Sequence, residues 1–334
     1  MTTAIVAIIV FSMLVFIHEL GHFTVAKMVG IKVHEFAIGM GPRLVHTKKG
    51  ETEYSIRALP LGGYVKMEGE DEKSDDERSF NKKPALARIA VIFAGPFMNF
   101  VLAVALFIII FYSIGTPSTT VMEVMDESPA QTAGIEAGDK IYSINGTIVK
   151  SWNNITDVIG SSKEESLEIT IVRNEEKIEK IVTPELDQDT NRMLIGISPA
   201  MKKSLSAAIE NSFSAIGSIT RDILGFLKGL VTRSANTGEV MGPVGIINLV
   251  GEVSRSGLLD VLNLTAVLSV NLGLMNLLPI PALDGSRILF LLAEVLRGKP
   301  VDQDKEGMIH FIGFGILMTL MLFITYKDIL KLLS

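Results

Sequence analysis

His18, Glu19 and His22, in the run His18-Glu19-Leu20-Gly21-His22, could do chemistry together, and they stand where ionisable groups are costly. The run closes fourteen apolar or small residues, Ala4 to Ile17, that read as the first part of a membrane-spanning helix. Residues four apart share one face of a helix. His18 and His22 can therefore offer two imidazole nitrogens to one metal ion while Glu19 faces the same cavity, the H-E-x-x-H arrangement that suits zinc. In a soluble chain this spacing also arises by chance, with histidines that cap a helix or face water. At a bilayer centre a charged group costs about 2.5–3.5 kcal/mol on insertion scales and usually marks a functional cavity. The chain has no cysteine, so a zinc site must be built from nitrogen and oxygen.

A catalytic zinc takes three protein ligands and keeps one position for water. The candidate third ligand is Asp284, in Asn276-Leu277-Leu278-Pro279-Ile280-Pro281-Ala282-Leu283-Asp284-Gly285, directly after another apolar run. At a helical rise of 1.5 Å per residue, His18 lies about 21 Å below Ala4. The run ending at Asp284 goes in the same direction, so the two groups can meet at similar depth. Pro279 and Pro281 prevent regular helix there and free backbone groups that must be satisfied within protein or a watery cavity. Asp284 could equally cap a helix over Ser286 to Leu296, and spacing alone leaves both readings open.

The elements that must position these groups follow from composition. Hydrophobic residues make up 48% of 334 and mean hydropathy is +0.40, which points to membrane segments. Ile89 to Gly115 and Val261 to Ile280 carry no charge, and Gly307 to Tyr326 has only His310. With the N-terminal segment these make four candidate spans, each near the ~20 residues that cross ~30 Å of hydrocarbon. The N-terminal run has no Lys or Arg before it and no small-residue cleavage pattern, which argues against a signal peptide.

Eleven Lys and Arg lie between Val29 and Ile89 and none precedes Lys27, which places this loop in the cytoplasm and the N-terminus outside. Lys327 and Lys331 at an outer C-terminus run mildly against that orientation. A net charge of −6 argues against a nucleic-acid partner. The expected order is a first span at 1–29, a cytoplasmic-side β region at 30–83 and a second span at 84–115. An extramembrane domain at 119–186, an amphipathic connection at 200–256, a third span at 257–285 and a fourth at 306–330 follow. Turn signals at Gly39-Met40-Gly41-Pro42 and Leu61-Gly62-Gly63 suggest short strands and hairpins in the β region, and Glu68 to Glu77 reads as a solvated loop. Gly95-Pro96 should kink the second span or mark its start, and Asn99 should bond a neighbouring helix. Lys202 to Arg233 has helical apolar spacing that suits either the membrane surface or packing on the extramembrane domain.

Taken together, these motifs resemble the site-2 protease family of intramembrane zinc metalloproteases, in particular its bacterial RseP-type regulators of intramembrane proteolysis. The resemblance covers nearly the whole chain. His18 to His22 matches the family's zinc and base motif, and Asn276 to Gly285 its N-x-x-P-x-P-x-L-D-G signature. Arg57 to Met67 looks like its membrane-associated β-loop. Ser128-Pro129-Ala130, Ala133-Gly134-Ile135, Gly138-Asp139, Ile144-Asn145-Gly146 and Ser151-Trp152 look like its PDZ domain, and Met241 to Ile246 fits the segment before its third span. The resemblance implies a polytopic α-helical protein of the bacterial cell membrane, with four transmembrane helices, a cytoplasmic-side β-loop and one inserted extracytoplasmic PDZ-like domain. It implies zinc bound by His18, His22 and Asp284, Glu19 as catalytic base, and Asn276 and Pro281 near the substrate. Ser286 and Arg287 stand where many relatives have a second Gly and often a His, and the chain has room for one PDZ domain where some relatives have two.

The expected reaction is hydrolysis of a peptide bond in or near the span of a single-span membrane protein, such as an anti-sigma-factor-like regulator or a signal-peptide remnant, usually after a prior cut. Zinc would polarise the scissile carbonyl and lower the pKa of water toward ~7, with Glu19 moving the proton. An unwound substrate could pair with an edge strand around Gly63, Tyr64 and Val65, unless that loop merely plugs the cytoplasmic side. The PDZ-like domain could bind a peptide C-terminus or exclude bulky ectodomains. The competing readings are a membrane-anchored zincin of another type, with Glu252 or Glu294 as ligand and its site outside the bilayer, and a non-enzymatic PDZ scaffold or metal carrier.

Overall fold

The computed structural model describes residues 2–333 apart from 71, 73, 163, 164, 188–191, 235–239 and 300. The elements in chain order are α1 (Thr2–Met28), β1 (Val33–Lys49), β2 (Thr52–Met67), α2 (Ala85–Ile114), β3 (Thr116–Val124), α3 (Pro129–Thr132), β4 (Lys140–Ile144) and β5 (Thr147–Ile148). They continue with α4 (Trp152–Gly160), β6 (Leu167–Arg173), β7 (Glu176–Val182), β8 (Glu185–Asp187), β9 (Arg192–Leu194), β10 (Ile197–Lys202) and α5 (Leu205–Thr232). The chain ends with α6 (Pro243–Ser256), α7 (Leu258–Leu277), α8 (Asp284–Arg297) and α9 (Gln303–Leu333). Two compact units result, Met1–Ile110 with Asn211–Ser334, and Phe111–Glu210.

In the first unit, α1, α2, α7 and α9 are long and apolar enough to cross a membrane. At 1.5 Å per residue the 27 residues of α1 reach about 40 Å, more than the ~30 Å of hydrocarbon. Most apolar side chains of α9, among them Phe311, Ile316, Leu322 and Phe323, point outward, as lipid-facing residues do.

The β region differs from the short hairpins expected of it. β1 and β2 are single long strands joined at Gly50-Glu51, and the glycines taken as turn signals are bends within them. Gly39, Gly41 and Gly62 have φ of 86°, 82° and 79°, a region that side chains disfavour, so the strands fold over themselves without ending. Glu35 pairs with both Glu53 and Lys66, and Ile38 with both Ile56 and Gly63. The first half of β1 therefore lies between the two halves of β2. The second half of β2, Gly63 to Met67, pairs with β1 on one side, and among the described residues no strand covers its other side. Phe36 carries this sheet onto α1, edge-on to Phe16 and Phe23 with ring centres 5.8 and 5.2 Å apart.

The Glu68 to Glu77 stretch is not simply solvated. Glu68 accepts from Ser74, His34 and Lys32, Asp76 from Lys32, and Glu70 pairs with Arg287; positions 71 and 73 lie outside the described residues. α7 stops at Leu277, so Asp284 is the first residue of α8 rather than the end of the span, and Leu283 takes the cap position. The connection expected at 200–256 contains α5 and α6, with 235–239 outside the described residues.

The second unit is an antiparallel sheet in the order β10-β3-β4-β6-β7, with β5 on β4. Its core is Ile141, Ile144, Ile155, Ile169, Ile171 and Val182, each at most 1% exposed. Alternation along β6 produces this, since every second residue faces the core. β6 and β7 turn through Asn174 and Glu175, both at positive φ. The sheet starts at Thr116 and runs to Lys202, past the boundary at 186, because β10 returns to pair with β3 and Thr116 lies opposite Lys202.

Candidate metal centre and active site

The site begins with close approach of two helices. At Gly21 of α1 an added Cβ would stand 2.2 Å from the Ala94 carbonyl oxygen of α2, so only glycine permits the contact. α2 continues through Pro96 instead of breaking there. Its other side meets α7, where Ser269 Oγ donates to the Asn99 carbonyl at 2.8 Å and a Cβ at Gly273 would lie 3.0 Å from the Pro96 carbonyl oxygen. α2 is thus held between the helix that carries the two histidines and the helix that leads to Asp284.

The donor atoms converge. His18 Nε2 and His22 Nε2 lie 3.2 Å apart, and Asp284 Oδ2 is 3.1 Å from the first and 3.5 Å from the second. Zinc bonds of about 2.0–2.1 Å in tetrahedral geometry require donors ~3.3 Å apart, so the three atoms fit one zinc ion. Asp284 Oδ2 is buried without a well-directed hydrogen bond, as expected of an atom kept for a metal. Gly95 leaves the space open: a Cβ there would stand 2.3 Å from His22 Nε2 and 2.9 Å from His18 Nε2.

Each histidine is also held from behind. His22 Nδ1 donates to the Val91 carbonyl at 2.9 Å, which fixes the tautomer with Nε2 as acceptor. His18 Nδ1 is 3.1 Å from the side-chain amide of Asn99, which is fully buried. With His18 Nε2 engaged by a metal, Nδ1 carries the proton and the amide oxygen of Asn99 is its acceptor; amide oxygen and nitrogen exchange by a simple rotation. Asn99 thus does bond a neighbouring helix, and its partner is the imidazole of His18. The partner signal was a lone buried amide opposite a histidine, which spacing does not reveal.

His18, Glu19, His22 and Asp284 line one cavity of about 550 Å³ with Tyr64, Val65, Lys66 and Met67 of β2. Gly63 brings that strand onto α1, since a Cβ there would meet Glu19 Cγ and Val15 Cγ1 at 3.1 Å. Glu70 and Arg287 line the same cavity and form an ion pair, so Arg287 closes one side of it. Asn276 and Pro281 are not among the lining residues. Asn276 lies near the end of α7, and Pro281 packs against α9, where a Cβ at Gly313 would meet it at 2.2 Å. Ala282 has φ of 75° and donates its N–H to His310 Nδ1 at 3.0 Å, so His310 anchors the loop before Asp284. The alternative carboxylates lie elsewhere: Glu294 pairs with Arg88, and Glu252 accepts from Asn248.

The profile of peptidase family M50 matches residues 6–320. A Clostridium acetobutylicum protein is 43% identical over 328 residues, covering 97% of this chain and 96% of its own. The regulator of sigma-W protease RasP of Bacillus subtilis is 34% identical over 417 aligned positions, covering 99% of each chain, and the zinc metalloprotease RasP of Geobacillus kaustophilus 37% over 407, covering 97% of each. Both alignments are longer than this chain, so the RasP proteins carry inserted sequence that it lacks. A quarter of the chain is similar to the PDZ domain of an SdrC-like protein of Listeria monocytogenes, at 27% identity over 88% of that chain, but a TM-score of 0.23 is too low to argue a shared fold. The profile spans the helices that bear His18, His22 and Asp284, and relatives above 30% identity cover the chain from end to end; the chain belongs to peptidase family M50, the site-2 proteases, and is an intramembrane zinc metalloprotease.

Proposed function

We propose that His18, His22 and Asp284 are the zinc ligands and Glu19 the general base in hydrolysis of peptide bonds within or near the span of single-span membrane proteins. The observation that carries this reading is the convergence of the three donor atoms in the cavity that Glu19 also lines. Zinc, when bound, polarises the scissile carbonyl and acidifies water. Glu19 then takes a proton from the attacking water and delivers it to the leaving amine. His22 stays fixed by Val91 and His18 by Asn99, so neither ring rotates as charge develops.

A transmembrane helix hides its amides in its own hydrogen bonds, so a substrate must unwind before attack. The uncovered side of Gly63 to Met67 offers backbone partners to such an extended segment, which supports β-addition at Tyr64 and Val65 beside the base. The density of Lys and Arg at 30–88 supports a cytoplasmic β region, an active site toward that side, an outer N-terminus and an outer second unit. The name of the Bacillus relative supports a membrane-bound regulator of a sigma factor as the substrate class. The second unit then acts as a PDZ-like filter that admits substrates already shortened outside, and Asn276 and Pro281 shape the loop on which Asp284 stands.

Glu19→Gln keeps shape and removes the base. Purified in detergent, it should retain zinc and lose about 10²-fold or more in cleavage of a single-span substrate. Wild-type cleavage by that variant would sink the assignment.

A further inference from the structure

Glu35 is an acidic side chain with 5% exposure, set in the half of β1 that otherwise builds core, and hydrolysis makes no direct use of it. Both of its oxygens are engaged. Oε1 accepts from Ser55 Oγ at 2.6 Å and from Arg57 Nη2 at 2.7 Å. Oε2 accepts from the Tyr64 hydroxyl at 2.7 Å and from Arg43 Nη2 at 3.4 Å. Arg57 also donates to the Tyr64 hydroxyl, and its guanidinium carbon lies 5.1 Å from the centre of that ring.

The partners come from both sides of β1. Ser55 and Arg57 belong to the first half of β2, Tyr64 to the second, and Glu35 sits on the segment between them. One carboxylate therefore ties the free edge of the sheet to its far side, and the tied residue, Tyr64, lines the catalytic cavity. Burial pushes the Glu35 carboxyl up, but the hydrogen bonds from Ser55, Tyr64 and Arg57 and the Arg57 charge outweigh it and hold the pKa at about 2. Tyr64 is pushed up to about 12 by burial and by its bond to that carboxylate, so it stays a neutral donor. Buried ion pairs are often no more stabilising than apolar packing of the same volume, which makes stability a weak reason for this network.

We propose that Glu35 is a positioning residue for proteolysis: through Tyr64 it fixes the free edge Gly63 to Met67 beside Glu19, in the place where an extended substrate segment pairs with it. This rests on the reading of that edge as the substrate acceptor. The test uses Glu35→Gln and Tyr64→Phe in the full chain in detergent, with a labelled single-span peptide that the wild-type chain cleaves. Three quantities are read: bound zinc, hydrogen exchange of the amides at 63–67 and in α1, and KM and kcat separately.

The expected result for Glu35→Gln is unchanged zinc, faster exchange at 63–67 with α1 still protected, and a KM raised on the order of tenfold, with kcat changed much less. Tyr64→Phe, which removes the hydroxyl contact and keeps the ring beside Arg57, should move the same readouts part of the way, and the double variant should go no further than Glu35→Gln. Wild-type exchange at 63–67 in Glu35→Gln overturns the proposal outright. Loss of zinc and kcat together at constant KM overturns it in favour of general destabilisation. Faster edge exchange with unmoved KM also overturns it, and traces the failure to the substrate-edge reading rather than to the carboxylate.

Discussion

At the scale of single residues, the site depends as much on a missing side chain as on those present. Gly95 faces the Nε2 atoms of His18 and His22 at distances no methyl group could occupy. Gly95→Ala should push the imidazoles apart and weaken zinc binding by about tenfold or more, in the range of metal-site disruptions generally. Chelator competition on the purified variant checks this, and wild-type affinity would show that the helices absorb the methyl. In the sequence, Gly95 read as a partner of Pro96 in a kink and Asn99 as a helix-packing amide. His18, Glu19 and His22 were legible because their relation is local, fixed by helical spacing. What Gly95 and Asn99 face is decided by a helix some seventy to eighty positions away, and no spacing encodes it.

At the scale of elements, the free edge of β2 is the feature that most needs a trial. Val65→Pro removes a backbone N–H and fixes φ at one position of that edge. Cleavage should fall by about tenfold or more while zinc binding is retained; if both fall equally, the strand only supports the fold. The long strands were hard to read because Gly39, Gly41 and Gly62 signal turns, yet here they let one strand bend and pair twice. Asp284 illustrates the opposite case. Pro279 and Pro281 marked the break after α7 correctly, but whether the carboxylate caps α8 or faces the histidines depended on how α7 packs on α2 through Gly273 and Ser269. Arg287, without a role on sequence grounds, pairs with Glu70 at the rim of the cavity, a contact between α8 and a segment more than two hundred residues earlier.

At the scale of the whole molecule, the second unit is inserted through adjacent chain ends, since Thr116 lies opposite Lys202 in the β3 and β10 pair. Replacing 117–201 with a short linker should therefore leave the first unit able to bind zinc. The deleted chain should cleave a shortened single-span peptide at close to the wild-type rate and should also accept a substrate with a bulky folded ectodomain. Gel-based cleavage of both substrates checks this, and loss of cleavage of the short one would give the unit a part in catalysis itself. The four spans were legible from apolar length alone, because hydrocarbon thickness sets a requirement that few other structures imitate. The full extent of the inserted sheet was not, because β3 and β10 are distant in sequence and neither alone has a decisive pattern.

In chain order His18 and His22 come before the whole inserted unit and α7, and Asp284 comes after them. On the proposed ligand set, a chain with α1 made and α8 not yet made would carry two ligands and a base but no complete metal centre, and metal binding of this kind is itself part of folding. Hydrolytic power would then be withheld until the helix that bears Asp284 is made and seated, and a copy truncated before α8 should be inert toward the neighbouring membrane proteins among which it is assembled, which a cleavage assay of that truncated chain checks.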